Sequence, residues 1–147
     1  MWSCDFNAKG DKIVSCSDDK TIKIWKEFLP NNSQGIKVTA ESAWKCVSTG
    51  NGYHKRTIFD VKWCHLTDLI ATACADNSIH IFRFADDGSI NNDLDKPALT
   101  QLVHQQNAHE QDCNSVAWNP KVPGLLASCS DDGTIKLWKF NEDENQV

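Results

Sequence analysis

Three segments of this chain repeat one another without a gap, and that repetition constrains the fold more than any other feature. Ser15 to Trp25 reads SCSDDKTIKIW, Thr72 to Phe82 reads TACADNSIHIF, and Ser128 to Trp138 reads SCSDDGTIKLW. Trp25 and Phe82 are 57 positions apart, and Phe82 and Trp138 are 56 apart. A second shared stretch lies upstream. His54 is followed by Ile58, Val61 and Trp63, and His109 by Cys113, Val116 and Trp118, at the same offsets. Met1, Cys4 and Phe6 fit those offsets in the first unit, whose histidine position would precede Met1. Such a unit cannot bury an apolar face alone, so a period of this kind implies stacked, self-similar modules.

Each module reads as β-strands. Ile22-Lys23-Ile24-Trp25 and Ile135-Lys136-Leu137-Trp138 alternate apolar and polar residues, as a half-buried strand does. The runs before them, such as Leu125 to Cys129, are more continuously apolar and suit a more buried strand. Ser17-Asp18-Asp19-Lys20 and Ser130-Asp131-Asp132-Gly133 supply tight hairpin turns between them. A further short strand is expected before each histidine, at Trp44 to Thr49 and Leu99 to His104. Four short strands per unit make a propeller blade. The units fall at approximately 1–49, 50–104 and 105–140, followed by a polar tail, 141–147. The stretches from Lys26 to Ala43 and from Arg83 to Ala98 are polar and carry Pro30-Asn31-Asn32 and Asp86-Asp87-Gly88, so they are expected as long surface loops.

These residues resemble the WD40 family, whose pattern is a histidine, a V-x-x-V-x-F strand, and then S-x-S-x-D-x-T-I-x-I-W. The resemblance implies a hydrogen-bonded structural tetrad of His, strand Ser or Thr, turn Asp and Trp. It carries over fully to His109, Ser128, Asp132 and Trp138. In the middle unit it falls on His54, Thr72 and Asp76, with Phe82 in the tryptophan's place; a phenyl ring has no indole N–H, so that network is expected to be incomplete. In the first unit it falls on Ser15, Asp19 and Trp25. The fold class is therefore all-β, about three four-stranded blades of a presumed seven-bladed ring. Three blades cannot close, so the chain is expected to be a partial propeller, from the C-terminal part of a longer one. Open blade faces would make it marginal or prone to association.

Other stretches are similar to the WD40 subunits of the cytosolic iron–sulfur protein assembly targeting complex. They are SCSDDKTIKIW with Phe28-Leu29-Pro30, Trp44-Lys45-Cys46, HKRTIFDVKWC with ATACADNSI, and AHEQDCNSVAWNPKVPGLLASCSDDG. The resemblance implies a non-catalytic scaffold. It would dock a small cluster-handling protein and a helical-repeat adaptor, and help deliver [4Fe–4S] clusters to cytosolic and nuclear apoproteins. A general WD40 adaptor of the ubiquitin-ligase or chromatin type, and a non-functional fragment, are the alternatives. The compartment expected is the cytoplasm, with the nucleus second.

Composition bounds the other classes. A net charge of −5 and pI of about 5.4 argue against nucleic-acid binding, which needs a basic face to displace counterions. No apolar run approaches the length that spans a bilayer, so no membrane partner is expected. Seven cysteines, with no CxxC pair and no signal sequence, suggest reduced thiols. Cys16 and Cys129 share a repeat position, and Cys4 and Cys113 sit at core-pattern offsets, so core packing is expected rather than metal ligation. The paired aspartates recur at repeat positions, which turn chemistry explains without an acid–base role. His54 and His109 read as structural hydrogen bonders, and His65, His80 and His104 have no visible constellation around them. Trp25, Trp63, Trp118 and Trp138 are expected in the core, whereas Trp2 and Trp44 lie off the pattern. No catalytic, cofactor-binding or metal residue is expected. Lys55 and Arg56 are the candidate partner-binding residues: an exposed arginine there can pair with an acidic partner tail, against the simpler reading of a solvated charge.

Overall fold

The computed structural model describes residues 1–29, 43–86 and 98–142. The described residues form eleven antiparallel strands in three sheets. The first sheet is β1 (Ser3–Phe6), β2 (Lys12–Cys16), β3 (Ile22–Phe28) and β4 (Ala43–Gly50), side by side in chain order. The second is β5 (Ile58–Trp63), β6 (Leu69–Cys74), β7 (Ile79–Phe84) and β8 (Leu99–Gln105), in the same arrangement. The third holds β9 (Cys113–Trp118), β10 (Leu125–Ser130) and β11 (Ile135–Lys139), so three strands rather than four are described there.

The repeated motif builds the same hairpin three times. β2–β3, β6–β7 and β10–β11 pair in equivalent register, with Ser15 opposite Lys23, Thr72 opposite His80 and Ser128 opposite Lys136. Their turns need one residue in the left-handed region, and Lys20 (φ 68°), Asn77 (φ 66°) and Gly133 (φ 80°) take it. The turn aspartate fixes each loop locally: Asp19, Asp76 and Asp132 accept from the backbone N–H two residues on.

Strands continue past the aromatic residue that ends each motif. β3 runs on through Lys26, Glu27 and Phe28, and β7 through Arg83 and Phe84, where loops were expected. The extension follows from the partner strands: Lys26 to Phe28 pair with Lys45 to Ala43, and Arg83 and Phe84 with Thr100 and Leu99. The remainder of those expected loops, 30–42 and 87–97, and most of the expected tail, 143–147, lie outside the described residues.

The sheets stack face to face. Val14, Cys16, Ile22 and Ile24 of the first meet Ile58, Val61, Trp63 and Phe82 of the second. Ala71, Ala73 and Ile79 of the second meet Cys113, Val116 and Leu126 of the third. Position in the stack decides burial. Ile22 and Ile24, and Ile79 and Ile81, are 0% exposed, whereas their repeat equivalents Ile135 and Leu137 are 75% and 70% exposed. At the other end Met1, Cys4 and Phe6 are exposed, although their equivalents Ile58, Val61 and Trp63 are buried. The expectation that Cys4 packs in a core is thus corrected, because among the described residues no sheet covers that face. Trp25 is half-buried for the same reason, whereas Trp118 and Trp138 pack against the core shared with the second sheet and are half-buried at its margin; Trp63 alone of the four repeat tryptophans is fully enclosed. Lack of cover also makes β10 half-buried, not the buried strand its apolar run suggests.

Candidate functional site

The third sheet carries the expected network. His109 joins Ser128 Oγ through Nε2 at 2.7 Å and Asp132 Oδ2 through Nδ1 at 3.0 Å. The Trp138 indole N–H donates to the same Ser128 Oγ at 2.8 Å. Asp132 also accepts from Thr134 and from the Glu110 backbone N–H, at 2.6 and 3.0 Å. The Thr134 hydroxyl contributes most to holding the Asp132 carboxyl below its usual range. In the first sheet, Trp25 donates to Ser15 Oγ at 3.0 Å, and Asp19 accepts from the Thr21 hydroxyl and N–H.

The second sheet departs from this arrangement in two ways. His54 Nε2 meets Thr72 Oγ1 at 2.9 Å, but Phe82 offers no indole N–H to that hydroxyl. In addition, His54 Nδ1 is buried without a partner, where the His109 equivalent is bonded to aspartate. Asp76 makes the same local bonds as Asp132, to the Ser78 hydroxyl and N–H and to the Lys55 N–H at 3.4 Å, but none to His54 Nδ1. An aromatic stack fills the space. The His54 and His80 rings lie 4.1 Å apart, His80 and His104 lie 4.1 Å apart and nearly parallel, and Phe82 stacks on His80 at 6.0 Å. His80 and His104, which showed no constellation in the sequence, therefore belong to one. Burial pushes His54 down to about 3, with His80 as a further cause, and pushes His80 down to about 4, with His104 next. Both imidazoles are neutral at physiological pH.

Lys55 and Arg56 lie on the loop between His54 and β5, on the same side as the β6–β7 turn. The Arg56 side chain is 63% exposed; its Nη1 donates to Ala75 O at 3.1 Å and lies 3.8 Å from Asp112 Oδ1. The guanidinium is thus oriented by its own chain while still facing solvent. The first aspartate of each pair holds a neighbouring segment: Asp18 accepts from the hydroxyl of Thr57, in the loop before β5, and Asp131 accepts from the Asn114 amide of β9 at 2.7 Å. The cysteines divide. Cys16, Cys64, Cys74 and Cys113 are buried, Cys129 is half-buried, and Cys4 and Cys46 are exposed. Burial pushes the Cys16, Cys74 and Cys113 thiols up to about 12.

One important residue was missed in the sequence. Asp60, 7% exposed on β5, accepts from the Ser3 hydroxyl of β1 and the Ser115 hydroxyl of β9, both at 2.7 Å, and from Val116 N at 3.1 Å. One carboxylate therefore ties all three sheets. Its signal was available, because Ser3, Asp60 and Ser115 occupy the same repeat offset.

A family profile described as WD domain, G-beta repeat matches residues 1–26, 44–83 and 100–139. The chain belongs to the WD40 family. A solved WD40-like neighbour, Sqt1 of Chaetomium thermophilum bound to the N-terminus of ribosomal protein L10, superposes with a TM-score of 0.66. It is 22% identical and is covered over 30% of its length by 88% of this chain, so it speaks to the fold. Among curated proteins, this WD40 chain is 44% identical over 146 residues to a Culex quinquefasciatus protein named "Probable cytosolic iron-sulfur protein assembly protein Ciao1". That alignment takes in 98% of the chain and 42% of the relative. A Mus musculus protein of the same description is 48% identical over 119 residues, 80% of the chain and 34% of the relative. The chain thus spans well under half the length of the curated relatives it matches.

Proposed function

We propose that this WD40 chain is a non-catalytic scaffold in the maturation of cytosolic iron–sulfur proteins, with the [4Fe–4S] cluster as cargo handled by its partners. The observation that carries this reading is the 44% identity over 98% of the chain to a relative named for that process. The alignment spans nearly the whole chain, and so takes in segments that the WD40 pattern leaves free, such as Asn119-Pro120-Lys121 and Pro123-Gly124. The partners are a small cluster-handling protein, a helical-repeat adaptor and apo iron–sulfur clients. The compartment is the cytoplasm, with a nuclear share for nuclear clients. Within the site, His109–Ser128–Asp132–Trp138 and its counterparts hold the hairpins in shape, and the Lys55–Arg56 loop meets an acidic partner tail. An arginine already held by Ala75 O loses less freedom on binding than a free one, which favours it as a contact.

The test is co-purification of the tagged 147-residue chain with the two assembly subunits and an apo-client. Stoichiometric recovery supports the reading. Absence of every assembly subunit, together with recovery of ubiquitin-ligase or chromatin partners, removes it. Arg56→Ala is expected to weaken client-tail binding with the fold intact; unchanged binding assigns Arg56 to solvent.

A further inference from the structure

The second sheet brings three metal-ligating side chains together. Asp76 of the β6–β7 turn, His80 of β7 and His104 of β8 each offer a donor atom within 4.8 Å of the other two. Strand register makes the juxtaposition, since His80 and His104 are direct partners across β7 and β8. His80 is fully buried, while Asp76 and His104 are half-buried, so the cluster opens to solvent on the turn side.

The hydrogen bonds around His80 leave a shortage of protons. Gln101 Oε1 lies 3.2 Å from His80 Nδ1; an amide oxygen only accepts, so Nδ1 carries the proton and Nε2 keeps a lone pair. That lone pair lies 2.9 Å from Ser78 Oγ, and the same hydroxyl is bonded to Asp76 Oδ1. One hydroxyl proton thus faces two acceptors. Alongside, His54 Nδ1 is buried with no partner, in a ring 4.1 Å from His80. A cation between carboxylate and imidazole would relieve the competition at Ser78. The Gln101 oxygen is placed as the outer partners of metal-bound histidines are, gripping the other ring N–H and fixing the tautomer.

We propose that Asp76, His80 and His104 bind one divalent first-row transition ion of the zinc, cobalt or nickel class. Two imidazoles and one carboxylate suit such ions better than calcium or magnesium, which prefer oxygen alone. Bonds of about 2.0–2.1 Å require the three donors to converge, which rotation of the half-buried Asp76 and His104 side chains can supply. This site is independent of the scaffold reading and of the cluster cargo: it belongs to one sheet and uses no cysteine.

Titration of the full chain with Co²⁺ tests it. The expected result is saturation at one equivalent, with visible d–d bands and no thiolate charge-transfer band. His104→Gln is expected to weaken binding by roughly tenfold or more, and Gln101→Leu by about 10–100-fold through loss of ring orientation. His65→Gln, at an exposed histidine outside the cluster, should leave it unchanged. Zn²⁺ should raise the melting temperature of the parent and not that of His104→Gln, which keeps the test decisive where the variant is itself less stable. Non-saturable binding, a thiolate band, or equal affinity in parent and His104→Gln would overturn the proposal.

Discussion

The second and third sheets are built from the same motif and differ in what covers them. Ile79-His80-Ile81-Phe82 and Ile135-Lys136-Leu137-Trp138 occupy the same strand in the same register, yet β7 is buried at five of its six positions and β11 alternates exposed and half-buried. The pattern of side chains makes the strand; the neighbouring sheet decides what it is worth. The site chemistry follows the same division. In the third sheet His109 spends both ring nitrogens on Ser128 and Asp132, whereas in the second His54 Nδ1 has no partner and the His54 ring packs against His80. Lys136, at the position of His80, reaches instead to Ala108 O at 2.7 Å.

The comparison breaks most readily at the aromatic position. Phe82 is 0% exposed, so Phe82→Ala should cost roughly 3–5 kcal/mol in equilibrium urea unfolding, by lost transfer energy and a residual cavity. Trp138→Ala removes a larger ring from a half-covered face and should cost less, about 1–3 kcal/mol including its bond to Ser128. Each ring faces the preceding sheet, so equal losses would show that the completeness of its enclosure is not what separates them.

Asp60 provides the next largest effect. Asp60→Ala strands the Ser3 and Ser115 hydroxyls and the Val116 N–H at the sheet contacts, with an expected cost of about 2–4 kcal/mol. Because the carboxylate joins all three sheets, the loss should appear in the coupling between them. Hydrogen exchange is expected to quicken along β1 and β9 together. Faster exchange confined to β5 would show that the carboxylate serves only its own strand.

The thiols sharpen the comparison by chemistry. Cys16 and Cys129 share a repeat position, but Cys16 faces the second sheet and Cys129 the uncovered side. Iodoacetamide near pH 8 should therefore modify Cys4, Cys46 and Cys129 well before Cys16 and Cys113, read by peptide mass. The pH dependence has a definite sign. Burial raises the Cys16 and Cys113 thiols from 9.0 to about 12, so their contribution to stability is complete below pH 9 and is lost as pH rises from 9 to about 12. Labelling of Cys16 as fast as Cys4 would place that thiol outside the core.

How much of this was legible in the sequence follows from the range of the forces involved. The hairpins and their turns are local: alternation, the turn aspartate and a left-handed residue lie within eleven positions, and the repeat displays them three times. The Asp132–His109–Ser128 network was legible for the same reason, through position in the repeat. Burial was not, because Cys4 and Val61 look alike in the pattern and differ only in whether another sheet lies over them. The His80–His104 contact was hidden for another reason. It depends on the register of β8, a strand separated from β7 by a long connection whose length says nothing about pairing, with a bulge between Ile81 and Phe82. Asp60 could have been found by asking which polar residue shares an inner-strand offset with two serines.

The smallest expected effect compares the first and third turns. Lys20 and Gly133 occupy the same left-handed position, at φ 68° and 80°. A side chain there costs about 1–2 kcal/mol in backbone sterics, and glycine gives back roughly 0.5–1 kcal/mol through its freer unfolded chain. Lys20→Gly should therefore stabilise the protein by up to about 1 kcal/mol, and Gly133→Ala should destabilise it by a similar amount, although a methyl group at Gly133 would meet nothing within 4 Å. Since neither position depends on cover by a neighbouring sheet, the two shifts should be equal and opposite in thermal unfolding. A clearly larger effect at Gly133 would mean that the turn beside Asp132 contributes to the His109 network as well as to the hairpin.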